Sequence, residues 1–495
     1  MSVRTIERGQ LAFQSETSYD SLSWRLLPTM KRLFFPSALI LLSLLAPRPA
    51  AAQGLLGGIL STAGGVVTTT TSTLTSTVNG LLQPQGVIVR TNLGLAGLQA
   101  VCANEGCTVV TNLDGNVGQL FLVQPAQGLI PSLLASVLNL VSGILDAEPD
   151  QLLVIPVNSG AGPYQTLIPS YLYQQSPTNY FGSAVWNGYA TQPAAQIIRV
   201  AQAQNTFHVT GSGIVADVDT GVDPNHPALK PFLLLGYDFT RNQPGGSEMT
   251  DLFGVNGTAC NACQAAFVDQ HTAAMLDQHT AAMLDGGQYS AFGHGTEVMG
   301  MIHLVAPTAK LLPLKAFSAN GTGSLSNILA AIYYAVQNHA NVINMSFELS
   351  SSSAELTSAL NYANAHNVIC SASSGNDGLD EVVYPAGLQQ LVMGVASTNN
   401  FDQRSSFSNY GNQVVWVAAP GENIVTTYPF GTYSVTSGTS FTSPMVAGTA
   451  SLLLSLRPNL NQSSAAAAVA NADWIGPNMG NGELDVYRAL SSVSQ

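Results

Sequence analysis

The sequence predicts an α/β protein, a mostly parallel sheet with helices on both faces, preceded by a small α+β unit. Three observations predict it. Short apolar runs at Gly213 to Val218, Val342 to Met345, Val368 to Ala372 and Leu391 to Val395 read as strands buried on both faces of a parallel sheet. Among them, Leu325, Ile328, Leu329, Ile332, Tyr333 and Val336 recur at the spacing of a crossover helix. Upstream, residues 87–155 follow the order β-α-β-β-α-β.

Composition sets the outer limits. A chain of 495 residues, 46% hydrophobic and 9% charged, can bury a large core and is not disordered as a whole. Its net charge of −13 repels phosphate backbones, which excludes nucleic acid as a partner. With 5 cysteines the fold is held by its core, not by a disulfide scaffold.

From the N-terminus, residues 1–29 lack any recognisable pattern, and translation is expected to begin at Met30. Residues 30–52 read as a secretory signal peptide: Lys31-Arg32, an apolar stretch from Leu33 to Leu45, then Ala50-Ala51-Ala52. That stretch is too short for the roughly 20 residues of a spanning helix, so a secreted product without a stable membrane anchor is expected. Residues 53–86, rich in Gly, Ser and Thr, form a flexible linker.

Within 87–155, Val87 to Val89 is extended and Leu95 to Cys102 helical, and strands around Val109 and Leu120 join through Asp114-Gly115. Leu133, Leu134, Val137, Leu138 and Val141 mark the second helix, and Leu152 to Ile155 is expected to close the unit as its last strand. Residues 156–185 are an aperiodic connector, and 186–495 one large domain with an insertion at about 252–290. The insertion repeats Asp269 to Leu276 at Asp277 to Leu284. His271 and His279, beside Cys260 and Cys263, do not have zinc-finger spacing, and a duplication copies its histidine automatically; a helical surface hairpin is expected and no metal is assigned. Small disulfides are expected for Cys102 with Cys107 and Cys260 with Cys263, and a buried free thiol for Cys370.

Polar groups at strand ends decide the chemistry. The strand through Val218 ends in Asp219-Thr220-Gly221; Gly293-His294-Gly295-Thr296 opens a buried helix; Ser437-Gly438-Thr439-Ser440 leads into a helix near Met445 to Leu454; Ser374-Gly375-Asn376 follows the strand at 368–372. Singly, Asp219, Ser440 and Asn376 would read as caps or turn residues. His226 reads as a turn residue, and His303, His339 and His366 as ordinary helix residues.

Together with Val342-Ile343-Asn344-Met345-Ser346, Tyr384-Pro385-Ala386 and the closing Gly482 to Leu490, these motifs resemble the subtilisin-like (subtilase) serine peptidases, in the chain order Asp, His, Ser. The resemblance implies a subtilisin-like fold behind a ferredoxin-like, inhibitor-type prodomain. It implies catalysis by Ser440, His294 and Asp219, with Asn376 in the oxyanion hole. It places Gly321, Gly323, Ser346 and Phe347 along the substrate backbone, with protein or peptide substrates added as a strand. It further implies a secreted, monomeric zymogen inhibited by its own propeptide and cut between about Ile155 and Trp186. No cofactor is required for the chemistry; structural calcium is common in the family, and no acidic loop here shows its ligand spacing.

Three departures stand out. Asp217, two residues before Asp219 on the same side of the strand, replaces an apolar residue, and hydrogen bonding is its expected role. Glu348 follows Ser346-Phe347 where the family commonly has Gly, and the insertion separates Asp219 from His294. Two rivals are an acid-acting sedolisin-type serine-carboxyl peptidase, against which His294 argues, and a catalytically silent binding module.

Overall fold

The computed structural model describes residues 86–155, 174–252 and 289–494. The expected signal peptide and linker, most of the expected connector and insertion, and Cys260, Cys263, His271 and His279 lie outside the described residues.

Strands β1 (Val87–Thr91), β2 (Cys107–Asn112), β3 (Leu120–Pro125) and β4 (Ile144–Pro149) form an antiparallel sheet in the order β2-β3-β1-β4, with helices α1 (Gly94–Glu105) and α2 (Pro131–Leu138). Alternation along β1 sends Val87 and Val89 to a small core with Leu98 of α1 and Leu134 and Leu138 of α2. Ile88, from the other face, joins a larger core reaching into the main domain. Cys102 and Cys107 are disulfide-bonded.

Leu152–Ile155 is not the closing strand of this unit, contrary to expectation. The unit closes with β4, and β5 (Leu152–Val154) leaves the sheet to pair with the main domain. The apolar run drew the strand reading, whereas β4 carries Asp146 and Glu148 among its apolar residues. Helix α2 also stops before Val141, which lies in a turn.

After a hairpin of β6 (Pro177–Tyr180) and β7 (Ser183–Trp186) and helix α3 (Val200–Phe207) come β8 (Ile214–Asp219), β9 (Tyr237–Asp238) and β10 (Gln243–Pro244). Helix α4 (His294–Val305), β11 (Lys310–Lys315), β12 (Thr322–Ser324), α5 (Leu325–Gln337), β13 (Val342–Met345) and α6 (Ala354–Ala365) follow. The chain finishes with β14 (Ile369–Ser373), β15 (Met393–Thr398), β16 (Val417–Pro420), a hairpin of β17 (Ile424–Tyr428) and β18 (Thr432–Thr436), and helices α7 (Ser443–Leu456), α8 (Gln462–Val469) and α9 (Val486–Val493).

The main sheet has eight strands in the order β10-β9-β11-β8-β13-β14-β15-β16, parallel except for β10. From β8 the chain builds outward to β9 and β11 on one side and then to β13 through β16 on the other, so the carboxyl end of β8 lies at the switch point where such sheets form sites. Val215 faces the core of α4 and α7, while Ala216 and Val218 face the core of α5 and α6. By the same period of two, Asp217 and Asp219 share the α4 face.

Candidate active site

Asp219 ends β8 and His294 opens α4, both almost fully buried. His294 Nδ1 lies 2.8 and 2.9 Å from the two Asp219 carboxylate oxygens, which fixes Nδ1 as the protonated nitrogen and leaves Nε2 as the basic one. The Thr220 N–H donates to Asp219 Oδ1 at 2.6 Å. The two loops meet so closely that a Cβ on Gly295 would collide with the Gly221 carbonyl oxygen.

Ser440 sits in a 3₁₀ turn, Thr439–Phe441, just ahead of α7, and the Phe441 ring lies 5.7 Å from the imidazole of His294. Its Oγ donates to the Ser346 carbonyl at 3.5 Å, and Ser346 Oγ donates back to the Ser440 carbonyl at 2.9 Å; among the described residues Ser440 Oγ makes no hydrogen bond to His294. Asn376 Oδ1 accepts from both the N–H and the hydroxyl of Thr439, each at 2.9 Å, which fixes the orientation of its amide beside Ser440. Sequence motifs more than 60 residues apart thus converge at one end of the sheet.

Two buried ionisable side chains carry no signal in the sequence. Glu248, fully buried, accepts from Gly293 N–H at 2.8 Å, Thr220 Oγ1 at 3.1 Å and Thr296 Oγ1, so one carboxylate ties the Asp219 loop to the His294 loop. Burial pushes it up to about 8, against those three donors and Lys315. Lys315, the register partner of Asp219, is buried and donates to the Thr220 and Phe317 carbonyls and to Asp251 Oδ2, each within 2.8 Å. A lone Glu after Gly245-Gly246-Ser247 carries no motif that could have flagged it.

Asp217 accepts from Asn344 Nδ2 at 2.9 Å, as expected, and the same amide reaches Ser346 Oγ. Burial, and then the neighbouring Asp219, hold the Asp217 carboxyl well above its ordinary range. Glu348 is half-buried, with one oxygen unpartnered among the described residues.

Gly321 and Gly323 lie on the edge that β5 occupies. Val154, Leu153 and Leu152 pair antiparallel with Thr322, Gly323 and Ser324, and Ile155 N–H donates to the Gly321 carbonyl at 2.8 Å. Phe347 is fully buried, its ring 5.3 Å from that of Phe317. Around this edge Asp150 accepts from Ser326 N–H at 2.8 Å and Ser326 Oγ at 2.7 Å at the start of α5. Glu148 bonds Ser353 Oγ and the Ala354 N–H at the start of α6, and Arg90 pairs with Glu355. These carboxylates meet the positive ends of two helices.

Among the described residues no cluster of three or more His, Cys, Asp or Glu side chains could hold a metal, and no helix is long and apolar enough to cross a membrane. Residues 211–485 match the model of the Subtilase family. The chain is 31% identical to the thermophilic serine proteinase of Bacillus sp. (strain AK1) over 330 residues, 65% of this chain and 73% of the relative. It is 33% identical to thermitase of Thermoactinomyces vulgaris over 303 residues, 60% of this chain and 95% of the relative. It is 39% identical to subtilisin Savinase of Lederbergia lenta over 176 residues, 34% and 65% of the two chains.

Proposed function

We propose, from the premise that the chain belongs to the subtilase family and is a serine endopeptidase, that it cuts peptide bonds through Ser440, His294 and Asp219 and is made as a secreted, self-processing zymogen. The observation that carries the catalytic part is the two-oxygen contact of Asp219 with His294 Nδ1, beside the turn that presents Ser440.

Ser440 Oγ attacks the scissile carbonyl while His294 Nε2 takes its proton, and Asp219 stabilises the imidazolium. The oxyanion accepts from the Ser440 N–H and Asn376. His294 then gives its proton to the leaving amine, the C–N bond breaks and an acyl-enzyme remains. Water, deprotonated by His294, attacks that ester; the Oγ–C bond breaks, the acid product leaves, and His294 returns the proton to Ser440 Oγ. The steps need no cofactor. Substrate main chain adds to the Gly321–Gly323 edge and runs past Ser346 and Phe347, which favours unfolded or loop segments.

The zymogen reading rests on β5 in that same edge and on the Glu148 and Asp150 helix caps. Residues 87–155 act as an inhibitor-type prodomain, and the cut falls between about Ile155 and Trp186, in the part of the connector ahead of the β6–β7 hairpin, whose sequence carries no period. Export follows from the basic-apolar-small pattern at 30–52, and the mature enzyme is a monomer. The test is the Ser440→Ala precursor made without other proteases: it stays uncut while wild type matures, and cleavage of both at the same bond would refute self-processing.

A further inference from the structure

We infer that Glu348 selects a cationic side chain on the residue that supplies the scissile carbonyl. The inference rests on the reading of Ser440 as the nucleophile and deepens it by naming a substrate class, Lys and Arg.

Two segments flank Ser440. Ser346 exchanges hydrogen bonds with it, and Ser346-Phe347-Glu348 runs on from there. On the other side stand Gly375 and Asn376, the latter bonded to Thr439. The segments are tied where Ser373 Oγ donates to the Phe347 carbonyl at 3.4 Å. If Ser440 attacks the scissile carbonyl, the side chain attached to that carbonyl would enter between these two segments.

What waits there is polar and unmatched. Gly375 has no side chain, and a Cβ at that position would collide with both Glu348 Oε2 and Asn409 Nδ2. Both of those atoms are buried without a hydrogen-bond partner among the described residues. Asn409 is fully buried, and its amide is not free to flip, because Oδ1 accepts the Asp377 N–H at 3.0 Å and the Leu379 N–H at 3.1 Å. Nδ2 is thereby held beside the same point as Glu348 Oε2 without bonding it, and the carboxylate is left with acceptor capacity for an outside donor.

Charge decides the kind of donor. Burial, and then the like charges of Asp377 and Glu381, push Glu348 up to about 7, and no Lys or Arg among the described residues pairs with any of the three. An ammonium or guanidinium supplies both the missing hydrogens and the opposite charge, and it draws the carboxyl to its ionised form. An apolar side chain would leave the carboxylate desolvated and unpaired.

The experiment compares kcat/KM for peptides that differ only at this residue (Lys, Arg, norleucine), using processed protein first shown to take a fluorophosphonate on Ser440. The Lys to norleucine ratio is expected to be about ten or more in wild type, to fall about ten- to hundred-fold in Glu348→Gln, and to survive in part in Glu348→Asp, which keeps the charge. A merely structural Glu348 would lower both substrates together and leave the ratio unmoved, which overturns the inference. So does a wild-type ratio of one or below, which is measurable even where a variant does not fold. A protein that labels and cleaves without cationic preference refutes the role of Glu348 alone, whereas one that neither labels nor cleaves refutes the nucleophile on which it depends.

Discussion

Leu153 stands in antiparallel register with Gly323 on the edge where substrate main chain would add. On the proposed function, the protein's own chain would occupy the position of an incoming strand. Its hold is reinforced away from the cleft by Asp150 at the start of α5 and Glu148 at the start of α6.

Removing those two carboxylates loosens the prodomain. Each cap contributes about 1 kcal/mol, so Glu148→Ala combined with Asp150→Ala weakens retention by roughly thirty-fold. Native mass spectrometry of freshly processed protein reads the fraction still bound. Equal retention would show that the caps contribute nothing.

Asn376→Ala lowers kcat by roughly a hundred- to a thousand-fold with little change in KM, the loss expected for one donor to an oxyanion that exists only in the transition state. Steady-state kinetics on a single peptide substrate makes the measurement. A change confined to KM would assign Asn376 to ground-state binding.

Glu248 joins Thr220 to Gly293 and Thr296, so it holds in register the residues next to Asp219 and His294. Glu248→Ala leaves these buried donors unmatched, at about 1–3 kcal/mol each, and should cut kcat by more than ten-fold. Circular dichroism and kcat measured on the same preparation separate misalignment from unfolding.

Glu483 gives stability a pH dependence. Burial pushes its carboxyl up to about 8; Oε1 accepts from Thr398 at 3.0 Å while Oε2 has no partner among the described residues. The unfolded chain loses this proton near the ordinary carboxylate range of about 4.3, the folded one only near 8, so the contribution is complete below the first value and gone above the second. Glu483→Gln, in a Ser440→Ala background that prevents autolysis, should match the parent Tm at pH about 4 and exceed it by a few degrees at pH about 9. The two melting curves at the two pH values are the check.

The sheet and the candidate site were legible to different depths. Val342–Met345 and Leu325–Gln337 lie almost where apolar runs and helical spacing put them, because core burial and secondary structure follow the same period there. Asp219, His294, Asn376 and Ser440 stand in short motifs of Gly and small residues, which local backbone geometry demands. Strand β11 went unread: Lys310, Pro313 and Lys315 interrupt its pattern, and Lys315 is buried only because Thr220, Phe317 and Asp251 surround it. The pairing of Leu152–Val154 with Thr322–Ser324 is equally invisible locally, since the apolar character of β5 reports burial but not the partner.

The most direct measurement of the central claim is fluorophosphonate labelling of the processed protein, with the adduct located by peptide mass spectrometry and His294→Ala as control. An activated Ser440 gives an adduct on Ser440 that disappears in the control; a folded, processed protein without an adduct, or with one on another residue, would contradict it.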